Sequence, residues 1–207
     1  MTSAHTLRPL KFYTLVGFTD VRIEGDAVVG NWDLNPKKLW GSGDARLVQD
    51  FVNWRNEPEA ILKFTKQFGP IWGFREPGRK FGYSFSGWIR RQETVRALWR
   101  GAGSSGAVML PDHAALVYED GRLVLAPYSL FTFLCIELAT CPGARLRICD
   151  VPGCPTPYFV ARHDLRMKFC STACAGTKQR EWKRIWWKET GRKRRLKNAT
   201  RRTRRKK

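Results

Sequence analysis

This chain of 207 residues has no long apolar run and only three histidines. Its longest apolar stretch, around residues 130–139, is shorter than the roughly 20 residues that a helix needs to cross a bilayer. The first twelve residues contain neither a continuous apolar segment nor a small-residue cleavage site, so the sequence predicts no secretory signal. We therefore expect a cytoplasmic protein with no membrane partner.

Acidic residues are scarce in the C-terminal third. Residues 145–207 contain 4 of the 18 Asp and Glu residues but 21 of the 38 Lys and Arg residues. The net charge of +20 is therefore concentrated at one end, next to a body that is nearly neutral. This asymmetry indicates a polyanionic partner, most simply nucleic acid, with an anionic membrane surface as the weaker alternative.

Strands and helices are both predicted before residue 143, without a regular alternation of the two. The patterns predict strands at 10–16 and 20–23, a hairpin at 115–126, helices at 44–68 with Pro58 between them, at 88–101 and at 128–140, and a loop at 71–84. This order favours an α+β fold. We predict a mixed α/β domain over residues 1–143, a small zinc finger with a basic helix over 144–191, and a disordered basic tail over 192–207.

Four of the six cysteines form two close pairs, Cys149 with Cys154 and Cys170 with Cys174. Pro152 and Gly153 between the first two can fold the backbone into a knuckle. In a reducing compartment such pairs favour metal over disulfide, and four thiolates complete the tetrahedral shell of a structural Zn²⁺. The sequence therefore predicts bound zinc. Cys135 and Cys141 fit no ligand pattern, and we interpret Cys135 as a core residue.

The segment between the pairs is long enough for a short hairpin through residues 158–160 and 167–169. The second pair then opens a helix, where Ser171 or Thr172 can cap the backbone N–H groups and the positive helix end favours thiolate. Knuckle, hairpin and a helix that bears the second pair form the layout of a treble-clef zinc finger.

A helix over residues 174–190 has two different faces. Trp182, Ile185 and Trp186 share a stripe with Cys174, and we expect this face to pack against the knuckle, with the N-terminal body as a further packing partner. The opposite face carries Arg180, Lys183, Arg184, Trp187 and Lys188, which we expect to contact phosphates. Trp187 either stacks on an exposed base or packs under the stems of its basic neighbours. The tail adds further cations for salt-sensitive binding, beginning with Arg192, Lys193, Arg194 and Arg195.

The pattern Cys149-x4-Cys154, Tyr158-Phe159-Val160, Phe169-Cys170-Ser171 and Cys174, followed by a basic helix, resembles the CGNR-type zinc fingers of bacterial proteins. In that family the finger follows an N-terminal ABATE domain, and Asp50-Phe51-Val52-Asn53 is similar to the early helix of that domain. The chain departs from the family pattern after Cys174, where Ala175-Gly176-Thr177 replaces Gly-Asn-Arg. The resemblance implies a transcription regulator linked to stress.

We therefore expect a non-enzymatic nucleic-acid-binding protein, with DNA preferred over RNA as its partner. A treble-clef nuclease that uses His163 is an alternative, but the other histidines, His5 and His113, lie in the other predicted domain. A protein adaptor is another. In the N-terminal domain we interpret the tryptophans as core, and a small-molecule ligand there stays open and unidentified.

Overall fold

The structure is a computed structural model that describes residues 13–16, 18–32, 38–41, 45–72, 79–101, 114–119, 122–127, 129–162, 164–191 and 193–195. It has an α+β fold, as the sequence predicts. The chain divides into two compact units. The first comprises Met1–Leu146 and Val160–Leu165, and the second comprises Arg147–Phe159 and Arg166–Lys207.

The strands of the first unit form small antiparallel sheets. Among the described residues, β1 (Tyr13–Val16) pairs with β4 (Lys38–Gly41), β3 (Ala27–Trp32) lies between β2 (Phe18–Glu24) and β5 (Lys80–Ser84), and β6 (Ala114–Glu119) pairs with β7 (Arg122–Pro127). The β6–β7 pairing confirms the predicted hairpin.

Strand β5 lies within the stretch predicted to be a loop, so that prediction is wrong at its end. The five residues alternate between exposed and buried side chains, with Phe81 and Tyr83 buried. A strand of five residues with Gly82 at its centre gives too short a pattern to stand out from the surrounding glycines and prolines.

Four helices complete the first unit: α1 (Arg46–Asn53), α2 (Pro58–Phe68), α3 (Phe85–Gly101) and α4 (Leu130–Thr140). Pro58 occupies the first turn of α2, where its missing N–H costs no hydrogen bond. Every residue from Leu130 to Leu138 is buried, and α4 packs against α1 and α3. The apolar helix predicted over residues 128–140 is thus the centre of this core.

Aromatic rings fill the space between α1, α2 and α3. The Phe51 and Trp88 rings lie 5.0 Å apart and the Phe64 and Trp88 rings 4.9 Å apart, all three fully buried. Burial of Trp32, Trp88 and Trp99 confirms the core interpretation at these positions. The side chain of Trp40 lies outside the described residues. Cys135 is buried on α4, as predicted, and burial raises the pKa of its thiol to about 12.

Two glutamine side chains form hydrogen bonds that hold α1 in place. The Gln92 side chain on α3 donates hydrogen bonds of 2.8 Å to the carbonyl oxygens of Phe51 and Trp54, at the C-terminal end of α1. The side-chain oxygen of Gln49 on α1 accepts a 3.0 Å hydrogen bond from the backbone N–H of Val160. Residues 160–165 are therefore tied to the first unit even though the chain on either side belongs to the second.

The remaining elements are a short 3-10 helix (Gly143–Arg145), two short strands and a long helix. Strand β8 (Leu146–Ile148) pairs with β9 (Tyr158–Val160), and α5 (Thr172–Trp186) continues into a π-helical turn, Trp187–Gly191. The sequence prediction paired residues 158–160 with 167–169, which is wrong. The partner strand instead precedes the knuckle, so the hairpin encloses Cys149 and Cys154.

Residues 193–195 of the basic tail form an exposed helical turn. The other positions predicted to be disordered, 192 and 196–207, lie outside the described residues.

Candidate metal centre

The first cysteine pair is positioned by a tight turn between β8 and β9. The N–H of Cys149 donates to the carbonyl of Pro157 at 2.7 Å, and the N–H of Cys154 donates to the carbonyl of Val151 at 3.2 Å. Gly153 has a φ of +70°, a left-handed conformation that costs glycine little because it has no Cβ. The knuckle predicted from Pro152 and Gly153 therefore forms.

The second pair lies where α5 begins. The N–H of Asp150 donates to the carbonyl of Lys168 at 3.0 Å, which connects the knuckle to the segment that leads into Cys170. The Ser171 side chain then accepts a 3.2 Å hydrogen bond from the N–H of Cys174. Of the two candidate caps, Ser171 is the one used, and it places Cys174 in the first turn of the helix.

The four sulfur atoms lie close together. The Cys154 Sγ lies 3.5 Å from the Cys170 Sγ and 3.8 Å from the Cys174 Sγ, and the Cys170 and Cys174 sulfurs are 3.6 Å apart. All four ligand atoms, that of Cys149 included, lie within 4.8 Å of one another. Tetrahedral coordination with Zn–S bonds of about 2.3 Å requires sulfur separations of about 3.8 Å. The group therefore has the dimensions of a metal site, and all four cysteines are free thiols.

The thiols differ in how readily they ionise. Burial raises the pKa of Cys154 and raises the pKa of Cys170 to about 12, with the neighbouring sulfurs contributing at Cys170. At Cys174 the hydrogen bond from Ser171, followed by that from Cys170, lowers the pKa. Four thiolates at these separations repel one another, so they require a bound cation to share one site.

Two hydroxyl groups lie just outside the sulfurs. The Thr156 Oγ1 is 4.0 Å from the Cys170 Sγ, and the Ser171 Oγ is 3.9 Å from the same sulfur. Outer contacts of this kind orient ligands and moderate their charge. Sequence reasoning did not single out Thr156, whose only signal is a hydroxyl two residues after a ligand.

This donor set can hold a transition-metal ion such as zinc. Thiolates favour soft or borderline ions over Mg²⁺ and Ca²⁺, which prefer oxygen ligands. With four protein ligands no coordination position is left for a substrate, so the chemistry of the site is that of a structural centre.

The predicted phosphate-binding residues lie on the exposed surface of α5 and its extension. Arg180, Lys183, Arg184 and Lys188 are all exposed. Among the described residues, Lys183, Arg184 and Lys188 form no ion pair, whereas Arg180 donates to the Thr177 hydroxyl at 3.2 Å. Of the tail residues, Lys193, Arg194 and Arg195 are exposed and Arg192 lies outside the described residues.

The apolar stripe of α5 is exposed, so the prediction that it packs against the knuckle is wrong. Trp182 is 63% exposed, and Ile185 and Trp186 are each 45% exposed. Half-burial is confined to residues 174–176 and 178, near the metal ligands. A helix of 15 residues is about 22 Å long, and its distal half extends beyond the small knuckle.

His163, His5 and His113 lie outside the described residues, so the alternative that uses His163 stays a prediction. Within the described part of the chain, no helix is long and apolar enough to cross a membrane. No protein-family model, curated protein or solved structure matches this chain.

Proposed function

We propose that this chain is a zinc-containing, non-enzymatic nucleic-acid-binding protein that acts in the cytoplasm as a DNA-binding transcription regulator. The observation that carries the proposal is an exposed basic helix that begins at the second cysteine pair and carries Cys174 in its first turn. The metal would hold the first turn of α5 against the knuckle and so give the helix one orientation.

Zinc is the ion that best suits the sulfur cluster. The separations of 3.5–3.8 Å among three of the sulfurs agree with a Zn–S4 tetrahedron. The CGNR-type family and an ABATE-like first domain are part of the same proposal, supported by the cysteine spacing, the Ser171 cap and the basic helix.

Nucleic acid is the partner that best suits the helix. Lys183, Arg184 and Lys188 are exposed and have no acidic partner among the described residues, so their charges are free to replace counterions on phosphates. Such contacts position a protein on a duplex but do not select a sequence.

The test measures zinc in the purified full-length protein and its affinity for duplex DNA over a range of salt concentrations. Each phosphate neutralised should contribute a log–log slope of about −0.9. Replacing Arg184→Ala with Lys188→Ala should weaken binding and make the slope shallower by about 0.9 for each phosphate that the variant no longer neutralises.

The matched control removes the same charge from exposed positions of the first unit, Lys63→Ala with Arg90→Ala. The proposal requires the control to bind like the parent protein. An equal loss of affinity in both double variants would assign the effect to net charge alone, and DNA affinity that does not fall as salt rises would contradict contacts to phosphates.

A further inference from the structure

Large aromatic side chains are exposed at the end of α5. Trp182 is 63% exposed and Trp186 and Trp187 are each 45% exposed, and no residue of α5 is buried. Keeping indole rings in water is unfavourable, and a cluster of exposed apolar groups on a charged surface usually marks a binding site.

Trp187 is already engaged within the chain. Its ring meets the Trp186 ring edge-on at a centroid distance of 5.2 Å, and the Arg195 guanidinium lies 4.4 Å from its centroid. Gly191 is buried beneath both rings, where an added Cβ would meet Trp187 and approach Trp186 to 2.9 Å. Within the chain the Trp187 ring contacts Gly191 and Arg195. Stacking of this ring on a base stays a prediction.

Trp182 is different because its ring is open. Among the described residues it makes no ring contact, cation–π contact or hydrogen bond. It lies one helical turn before Trp186, about 6 Å along the axis. Lys183 follows it directly and is exposed, whereas Arg184 lies on the opposite face of the helix.

An open ring beside an unpaired cation suits single-stranded nucleic acid. Its phosphates can contact Lys183 while a base, which has a free face, stacks on Trp182. The bases of a duplex are covered by their neighbours, so an exposed indole gains little from them. We infer that, within the proposed nucleic-acid-binding function on which this rests, α5 binds single-stranded segments and Trp182 is the platform for an unpaired base.

A lipid surface fits the helix less well. An interfacial helix needs an apolar face along its length, whereas the exposed large apolar residues of α5 are confined to positions 182, 185 and 186. The first turns carry small or polar residues, Thr172 to Thr177, and the metal ligand Cys174.

The experiment uses full-length protein with its metal and follows fluorescence anisotropy of three labelled probes. Two are single strands, oligothymidylate and oligouridylate, each longer than the roughly 4–16 nucleotides that one such module covers. The third is a mixed-sequence duplex of the same length. Trp182→Ala should weaken binding to the strands by about 5- to 150-fold, as removal of one base stack does, and leave duplex binding nearly unchanged.

Trp182→Phe keeps an aromatic face and should restore most of the affinity. The salt slope of Trp182→Ala should equal that of the parent, because stacking releases no counterions. Trp182 is exposed and its replacement leaves the metal ligands intact, so equal zinc content and equal far-UV circular dichroism serve as the folding check.

The outcomes distinguish failure of the stacking inference from failure of the proposed function. In one outcome, duplex binding weakens on removal of Arg184 and Lys188 but Trp182→Ala leaves strand binding unchanged. This result overturns the stacking inference and keeps the proposed function. Parent protein that binds no probe overturns both. Loss of binding to phosphatidylserine vesicles in Trp182→Ala, with strand binding intact, assigns the ring to a lipid surface and also overturns the inference.

Discussion

The backbone N–H of Cys174 donates a 3.2 Å hydrogen bond to the side-chain oxygen of Ser171, so one residue both caps α5 and positions a metal ligand. Ser171→Ala should remove the cap and destabilise the first turn by about 1 kcal/mol. Because that turn carries Cys174 and Cys170 directly precedes the cap, the metal should pass more readily to a competing chelator. Ser171→Asp, which also caps well, should retain the metal, and equal retention in the alanine variant would contradict this role.

Loss of one ligand should have a larger effect than loss of the cap. Cys170→Ser should abolish zinc retention and unfold the second unit, because metal binding supplies most of the folding free energy of such small modules. Metal analysis and hydrogen exchange of residues 147–159 and 166–191 measure both effects.

The matched control is Cys141→Ser, which changes a free, half-buried cysteine outside the sulfur cluster. It should retain the full metal content. Metal loss in this control, or none in Cys170→Ser, would contradict the assignment of the ligands.

Replacing either of two glycines of the second unit with alanine should change its stability, in opposite directions at the two positions. Gly153 has a φ of +70°, so Gly153→Ala should destabilise the knuckle by about 1–2 kcal/mol although the space around it is empty. Gly176 lies within α5 with no atom within 4 Å of an added Cβ, so Gly176→Ala should stabilise the helix by up to about 1 kcal/mol. Chelator competition compares the two, and similar effects of both substitutions would argue against the left-handed knuckle.

Loss of the buried Gln92 amide should lower the stability of the first unit only. Gln92→Leu leaves the carbonyl groups of Phe51 and Trp54 without their side-chain donor and should destabilise this unit by about 1–3 kcal/mol, measured by urea denaturation. Thr94→Ala, on the exposed side of the same helix, should change the stability little. Zinc content should be unchanged in both variants.

The metal site could be predicted from the sequence because its determinants are local. Cys149 and Cys154 are separated by one turn, Cys170 and Cys174 by another, and Ser171 is a helix-capping residue beside the second pair. Each relation spans about one turn of chain, so spacing and residue type suffice. The convergence of the two pairs was the only long-range assumption.

The errors arose where the outcome depends on distant residues. Strand β9 had two possible partners, and sequence pattern cannot decide between a strand before the knuckle and one after it. For the stripe of Trp182, Ile185 and Trp186, helical period shows which side chains share a face but not what that face meets. The π-helical turn at Trp187–Gly191 also shifts the residues beyond Trp186 from the positions that a regular helix gives them.

The six residues 160–165 belong to the first unit although their neighbours on both sides belong to the second. The two units are therefore interleaved along the chain, and a cut after residue 146 releases the second unit but leaves the first unit without residues 160–165. A truncation at residue 146 would remove Val160, whose backbone N–H donates a hydrogen bond to the Gln49 side chain of the first unit. A nick within residues 160–165 would divide the second unit between its two cysteine pairs. A fragment that contains the whole first unit must include residues 147–159 of the second, and one that contains the whole second unit must include residues 160–165 of the first.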